Sequence, residues 1–134
     1  MQRQTRQHEA VLTALTESGR TLTPIEICEI ARHAVPRINL STVYRQIKVL
    51  LEEAKVQRVE LPGQPTRYEA SHCMADCGDG MHHHHYFHCS GCDRVFPIHG
   101  CPGAMDELAP AGFKVERHEL TLHGRCADCV AARA

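Results

Sequence analysis

Apolar positions recur at helical spacing three times in the first half of the chain, and at strand-like spacing in short runs after that. Val11, Leu12 and Leu15 place a helix over residues 3–18, and Ser18-Gly19 stops it. In "TLTPIEICEIARHAV", Thr23 suits an N-cap, Pro24 the first helical position and Glu26 the reciprocal capping position. Ile27, Ile30 and Ala31 form the buried face of this second helix, and Pro36 ends it. The third run, "NLSTVYRQIKVLLEEAK", starts at Asn39 or Ser41 and carries a stripe of Val43, Ile47, Leu50 and Leu51. Thr42, Tyr44, Arg45, Gln46 and Lys48 fall mostly outside that stripe.

Two β-like runs follow, "KVQRVEL" and "TRYEA", joined by the turn "PGQP". Three helices and a hairpin in about 70 residues is the layout of a winged helix-turn-helix, whose third helix would expose a reading face. A small helical bundle with an appended hairpin fits the same periodicities. Residues 71–81, "SHCMADCGDGM", read as a loop. "HHHHYFHC" and "RVFPI" then read as strands, "PGAMDELAPAG" as a short helix and "FKVERHELTLHG" as a third strand. The expected fold class is therefore α+β. Residues 1–70 form a winged-helix domain and residues 71–134 a small α/β domain.

Cysteine spacing adds chemistry. Cys89 and Cys92 make one CxxC pair and Cys126 and Cys129 a second, 33 residues beyond the first. Two residues between thiols let one tight turn aim both sulfurs at one ion, and two such turns supply four thiolates to a closed tetrahedral zinc site. Two disulfides, or four unrelated core thiols, are the plainer readings. Reversible dithiol chemistry is another use of CxxC. A zinc hydrolase or deaminase needs an open metal position and a nearby acid. All four knuckle cysteines are spent on a closed site, and no HxE motif occurs.

Charge is nearly balanced, with 15 basic and 16 acidic residues, which argues against a protein that coats polyanions. The balance shifts along the chain: residues 1–62 hold nine Lys/Arg against seven acids, and residues 63–134 hold six against nine. The second part also carries nine of eleven histidines and seven of eight cysteines. A slightly basic module is thus joined to a metal-rich one. No run approaches the ~18 apolar residues of a membrane span, and the first residues lack the apolar core of a signal peptide. The expected location is cytoplasmic, where a reducing medium favours metal over disulfide.

Four segments together resemble the ferric uptake regulator (Fur) family of bacterial metal-responsive repressors. They are "TRQHEAVL", "LSTVYRQIKVLLEEAKV", "RYEAS" followed by "HHHHYFHCSGC", and "GFKVERHELTLHGRCADC". The resemblance implies a homodimer that binds double-stranded operator DNA, with a C-terminal dimerisation domain and a sensed metal between the domains. It places Ser41, Thr42, Tyr44 and Arg45 against DNA. Their chemistry agrees, since Arg forks onto guanine or clamps phosphate and Tyr offers a ring edge and a hydroxyl. Several positions depart from the family pattern. Arg20-Thr21-Leu22 stands where members often carry a ligand histidine, Gln57 where zinc-sensing members carry a wing histidine, Pro97 in place of a carboxylate, and Tyr86 in place of a histidine.

What remains for sensing is Glu69, matching the family's hinge acid, with His82, His83, His84 and His85. On a strand, His82 and His84 share one face and His83 and His85 the other, so two of the four serve any one pocket. Cys73 lies near the position where zinc-sensing members place a thiolate. His72, Cys77, His99, Cys101 and His118 are further candidates. A thiolate beside imidazole and carboxylate favours zinc as the second, sensed metal. Glu69 with imidazoles alone would suit iron or manganese, and a peroxide-sensing variant built on bound iron is a further alternative. Cys28, alone on an apolar helical face, reads as a core thiol.

Overall fold

The computed structural model describes residues 2–71, 85–98 and 105–132, with side chains from Thr5 onward. The described residues through Ser71 form one compact unit and those from His85 onward a second.

The first unit is three helices and a hairpin. Helix α1 runs Gln2–Ser18, α2 Pro24–Ala31 and α3 Leu40–Glu52. Gly19 ends α1 with φ +65°, a left-handed backbone that glycine adopts without strain. At the start of α2 the Thr23 hydroxyl accepts from the Glu26 amide and the Glu26 carboxylate accepts from the Thr23 amide, closing the capping box. Arg20 donates to the same carboxylate at 2.7 Å. Burial works to raise Glu26, but the Thr23 amide and Arg20 outweigh it and hold the group below the ordinary range.

Asn39, rather than Ser41, caps α3, its Oδ1 accepting from the Thr42 amide at 2.9 Å. The buried face of α3 is Thr42, Val43, Gln46, Ile47 and Leu50. This corrects the expectation that Thr42 and Gln46 lie off the stripe. Residues 42, 46 and 50 form their own i, i+4, i+8 row beside 43 and 47, so the face is wider than its aliphatic members alone. Against it pack Val11, Ala14 and Leu15 of α1, Leu22, and Ile27, Cys28 and Ala31 of α2. Cys28 is a core thiol, as expected, with Sγ 3.8 Å from the Ile38 carbonyl.

Strands β1 (Val56–Val59) and β2 (Arg67–Ala70) pair antiparallel, with Val56 opposite Ala70 and Gln57 opposite Glu69. Leu22 extends this sheet through two 2.8 Å backbone bonds with Tyr68. His8 of α1 reaches Glu53, the C-cap of α3, at 2.8 Å. Bonded to His8, the exposed Glu53 carboxyl lies below its ordinary pKa.

The second unit is a three-stranded sheet in the order β4-β3-β5. Strand β3 (His85–Cys89) pairs antiparallel with β4 (Val95–Ile98) and parallel with β5 (Thr121–Gly124). The long third strand read from the sequence is reduced to β5. The period-2 pattern of residues 113–120 is present, but no strand forms there among the described residues. The β3–β5 pairing starts only at Tyr86 opposite Thr121, with Tyr86 N–H donating to the Leu120 carbonyl just before it. In the described part of the expected short helix, Met105–Leu108 form a single 3₁₀ turn, followed by Pro110 and by Gly112 at φ +86°. A six-residue helix, α4 (Ala127–Ala132), closes the unit and was not anticipated. No helix among the described residues is long and apolar enough to cross a membrane.

Candidate metal centre and nucleic-acid interface

Cys89 ends β3, Cys92 follows it by one turn, and Cys126 and Cys129 flank and enter α4. The parallel β3–β5 pairing, with Cys89 opposite Gly124, brings the two CxxC units together. Ser90 fixes that approach, its amide and hydroxyl both donating to the Gly124 carbonyl at 2.7 and 3.0 Å. All four sulfurs lie within 4.8 Å of one another, the one such metal-competent cluster among the described residues. Cys89 Sγ is 3.6 Å from Cys129 Sγ, and Cys92 Sγ is 3.7 Å from Cys126 Sγ. A disulfide needs ~2.05 Å. Sulfurs held ~2.3 Å from a tetrahedral zinc stand about 3.8 Å apart, so donor set and spacing fit that ion.

Backbone amides prepare the site for negative charge. The Cys126 amide donates to Cys89 Sγ at 3.2 Å and the Cys92 amide at 3.4 Å. They pull the Cys89 thiol down to about 6, the Cys126 contact contributing most. Cys129 is pushed up to about 12, first by its contact with Cys89 and then by Cys126. The Arg94 amide pulls Cys92 down, but burial and the contacts with Cys89 and Cys126 outweigh it and raise the thiol. One thiolate forms readily in this cluster and opposes the next. A bound dication removes that opposition, because it attracts all four at once. Gly91 gives the first turn its clearance: a Cβ there would lie 3.0 Å from Cys129 Sγ.

Of the proposed sensing residues, Cys73, His82, His83 and His84 lie outside the described residues, as do His72, Cys77, His99 and Cys101. His85 is described and almost completely buried. Its Nε2 is 3.1 Å from His118 Nε2, with the rings stacked at 4.9 Å between centroids. His118, a secondary candidate in the sequence, is therefore the described residue most directly joined to the histidine tract. Its position in the last β-like run gave no hint of that, because the residues around it form no strand.

Glu69 lies in β2 of the first unit, only 2% exposed, and accepts a short hydrogen bond from Gln57 Nε2 across the hairpin. The strand register, which puts Gln57 directly opposite Glu69, explains the pair. Gln57 thus engages the acid that the sequence comparison singled out, a link visible only once the hairpin is registered.

On α3, Ser41, Tyr44 and Arg45 are exposed, Tyr44 to 51%. Lys48 is exposed beside them, with Leu40 and Val49 about a third open, at 38% each. Thr42 is 7% exposed and faces the core, so three of the four residues placed against DNA are presented outward and one is not. The outward set offers a guanidinium, an ammonium, two hydroxyls and apolar surface. These are the groups that grip phosphate and read base edges in a major groove.

Comparison with known proteins agrees with this architecture. The sequence model of the "Ferric uptake regulator family" matches residues 2–123. The ferric uptake regulation protein of Brucella suis biovar 1 (strain 1330) is 32% identical over 121 residues, covering 89% of this chain and 81% of the relative. That of Bacillus subtilis (strain 168) is 29% identical over 129 residues, covering 93% and 83%. A solved zinc uptake regulator in complex with zinc and DNA superposes with a TM-score of 0.57 at 26% identity, covering 95% of this chain and 83% of that one.

Proposed function

The chain belongs to the ferric uptake regulator family, whose members are metal-responsive transcription regulators and not enzymes, and from that premise we propose that it is a zinc-responsive repressor. In this reading it binds double-stranded operator DNA as a homodimer in the cytoplasm. Ser41, Tyr44 and Arg45 face the DNA, joined by Lys48. Cys89, Cys92, Cys126 and Cys129 hold a structural zinc. A second zinc is sensed by Glu69, Cys73 and members of the tract His82, His83, His84 and His85.

The observation that carries the proposal is the pairing of a reading helix with a closed four-sulfur site in one short chain. The four thiolates suit zinc as the structural ion, a Cys73 thiolate beside Glu69 and imidazoles suits zinc as the sensed one, and exposed Tyr44 and Arg45 supply the reading chemistry. Dimerisation is supported by Leu108, Phe113, Leu122 and Val130, apolar and exposed in the second unit. His118 joins the second site through its 3.1 Å approach to His85. An imidazole pair also suits ferrous iron or manganese, and this is the observation behind a second reading, an iron- or manganese-sensing regulator of the same fold.

DNA binding titrated with zinc, ferrous iron and manganese under metal buffering tests both readings. Zinc is expected to activate binding at the lowest free concentration relative to its cellular buffering. Activation by iron or manganese alone assigns the second reading, and DNA affinity independent of every metal refutes both.

A further inference from the structure

His88 precedes the first zinc-site cysteine and Asp93 follows the second. The His88 Nε2–H donates to the Asp93 carboxylate at 2.6 Å. This bond spans the whole CxxC turn from outside, residue 88 to residue 93. Inside it, the Asp93 amide donates to the Cys89 carbonyl at 2.8 Å and the Cys89 amide to the Arg94 carbonyl at 2.9 Å. Asp93 takes φ +64°, a left-handed backbone that Asp adopts more readily than most residues with a Cβ, and its side chain is aimed back across the turn. The imidazole bond adds a side-chain tie to that backbone turn.

His88 also reaches the other half of the site. It lies opposite His123 in the parallel β3–β5 register, and the two rings meet edge to face, 5.5 Å between centroids. Strand β5 is the one that leads into Cys126. One imidazole therefore touches the turn that presents Cys89 and Cys92 and the strand that delivers Cys126 and Cys129. Its side chain is 13% exposed, while that of Asp93 is 70% exposed, so the bond is anchored on its histidine side.

We propose that His88 and Asp93 form a latch that positions the four sulfurs and sets how tightly the structural zinc is retained. Neither residue is a ligand. His88 acts through the geometry of the turn, as outer hydrogen bonds do at metal sites generally. The inference rests on the four-cysteine zinc reading and goes beyond it by assigning the control of metal release.

The test is zinc release from the full-length, zinc-loaded protein into excess 4-(2-pyridylazo)resorcinol, followed by absorbance. His88→Ala and Asp93→Ala should each release zinc about tenfold faster, in line with losses seen at such outer positions. The double variant should be no faster than His88→Ala alone, because that substitution already removes the bond. His88→Gln and Asp93→Asn keep a donor and an acceptor, and should restore slow release. Asp93→Gly separates the latch from backbone strain: it relieves φ but lacks the carboxylate, so the latch predicts fast release. Wild-type rates in His88→Ala or in Asp93→Gly, or a double variant whose effect is the product of the singles, would overturn the proposal. Wild-type protein isolated without one zinc per chain would overturn the zinc reading itself and the latch with it. The thermal transition of the first unit, unchanged in every variant, shows that altered release is local to the site.

Discussion

Replacing Cys92 with Ser should unfold the second unit and leave the first standing. The reasoning is quantitative. Among the described residues from His85 onward, the buried ones are His85, Cys89, Val95 and Cys126. Two of these four are cysteines of the four-sulfur cluster, and one is an ordinary aliphatic side chain. Full burial of Val95 stabilises by about 2 kcal/mol. A structural zinc contributes roughly 10–16 kcal/mol in small zinc-bound folds. On the zinc reading proposed above, the metal outweighs the apolar burial seen among the described residues of this unit. A Ser hydroxyl in place of Cys92 Sγ leaves three thiolates and a weak donor, and the site loses its closed tetrahedron. In the first unit, by contrast, a cluster of buried residues from Ala10 to Ala70 needs no ion. The assays are metal content by mass spectrometry, far-ultraviolet circular dichroism and amide hydrogen exchange. Cys92→Ser should contain no tightly held zinc. Its helical signal should largely survive, because α1, α2 and α3 all lie in the first unit. Exchange protection should collapse over residues 85–98 and 121–132. A variant that kept one zinc per chain and normal protection in those segments would refute the reasoning.

Other perturbations have equally direct readouts. Arg45→Ala should weaken operator binding by about 1–3 kcal/mol at matched salt with an unchanged melting temperature, as read by fluorescence anisotropy; equal affinity removes Arg45 from the reading face. Glu69→Ala should abolish metal-activated DNA binding while the four-cysteine zinc stays in place, and retention of the normal metal dependence would exclude the hinge acid. His118→Ala should weaken the second metal without touching the first, measured by isothermal titration of protein already holding its structural zinc. Gly91→Ala drives a Cβ to 3.0 Å from Cys129 Sγ and should speed zinc loss. The depressed Glu26 carboxyl contributes stability above the ordinary carboxylate range, about pH 4, and that contribution disappears as acid protonates it. Glu26→Gln should therefore flatten the acid side of the stability profile, in chemical denaturation at several pH values.

Much of the first unit could be read in advance because its signals are local. The capping pattern Thr23-Pro24-Glu26, the stripe on α3 and the turn at Gly63 each act within a few residues. Thr42 and Gln46 were misread because a polar side chain on a row of buried neighbours is buried by its position, whatever its polarity. The four cysteines were legible because CxxC spacing encodes a turn and a ligand pair together. The Gln57–Glu69 bond and the His85–His118 approach were not legible as contacts. Each depends on residues 12 and 33 positions apart meeting in space, and no periodicity carries that information. The shortened last strand differs for a related reason: alternation states which residues could share a face, but not how far a strand extends.

The parallel pairing of β3 with β5 also sets an order of events in time. Two antiparallel strands can meet through a tight turn, but parallel neighbours must wait for a long crossover. Here 33 residues separate the inner cysteines of the two knuckles. The helices of the first unit close through short-range contacts, whereas the sulfur site requires that wide loop to find its end first. On the zinc reading, a newly made chain without its metal would hold a folded first unit and an unfinished second one. The edges of its small sheet would then be open to pairing with other chains. If the sulfur cluster holds zinc, as proposed, the metal would time the maturation of the second unit, and scarcity would first be felt as slow folding of that unit.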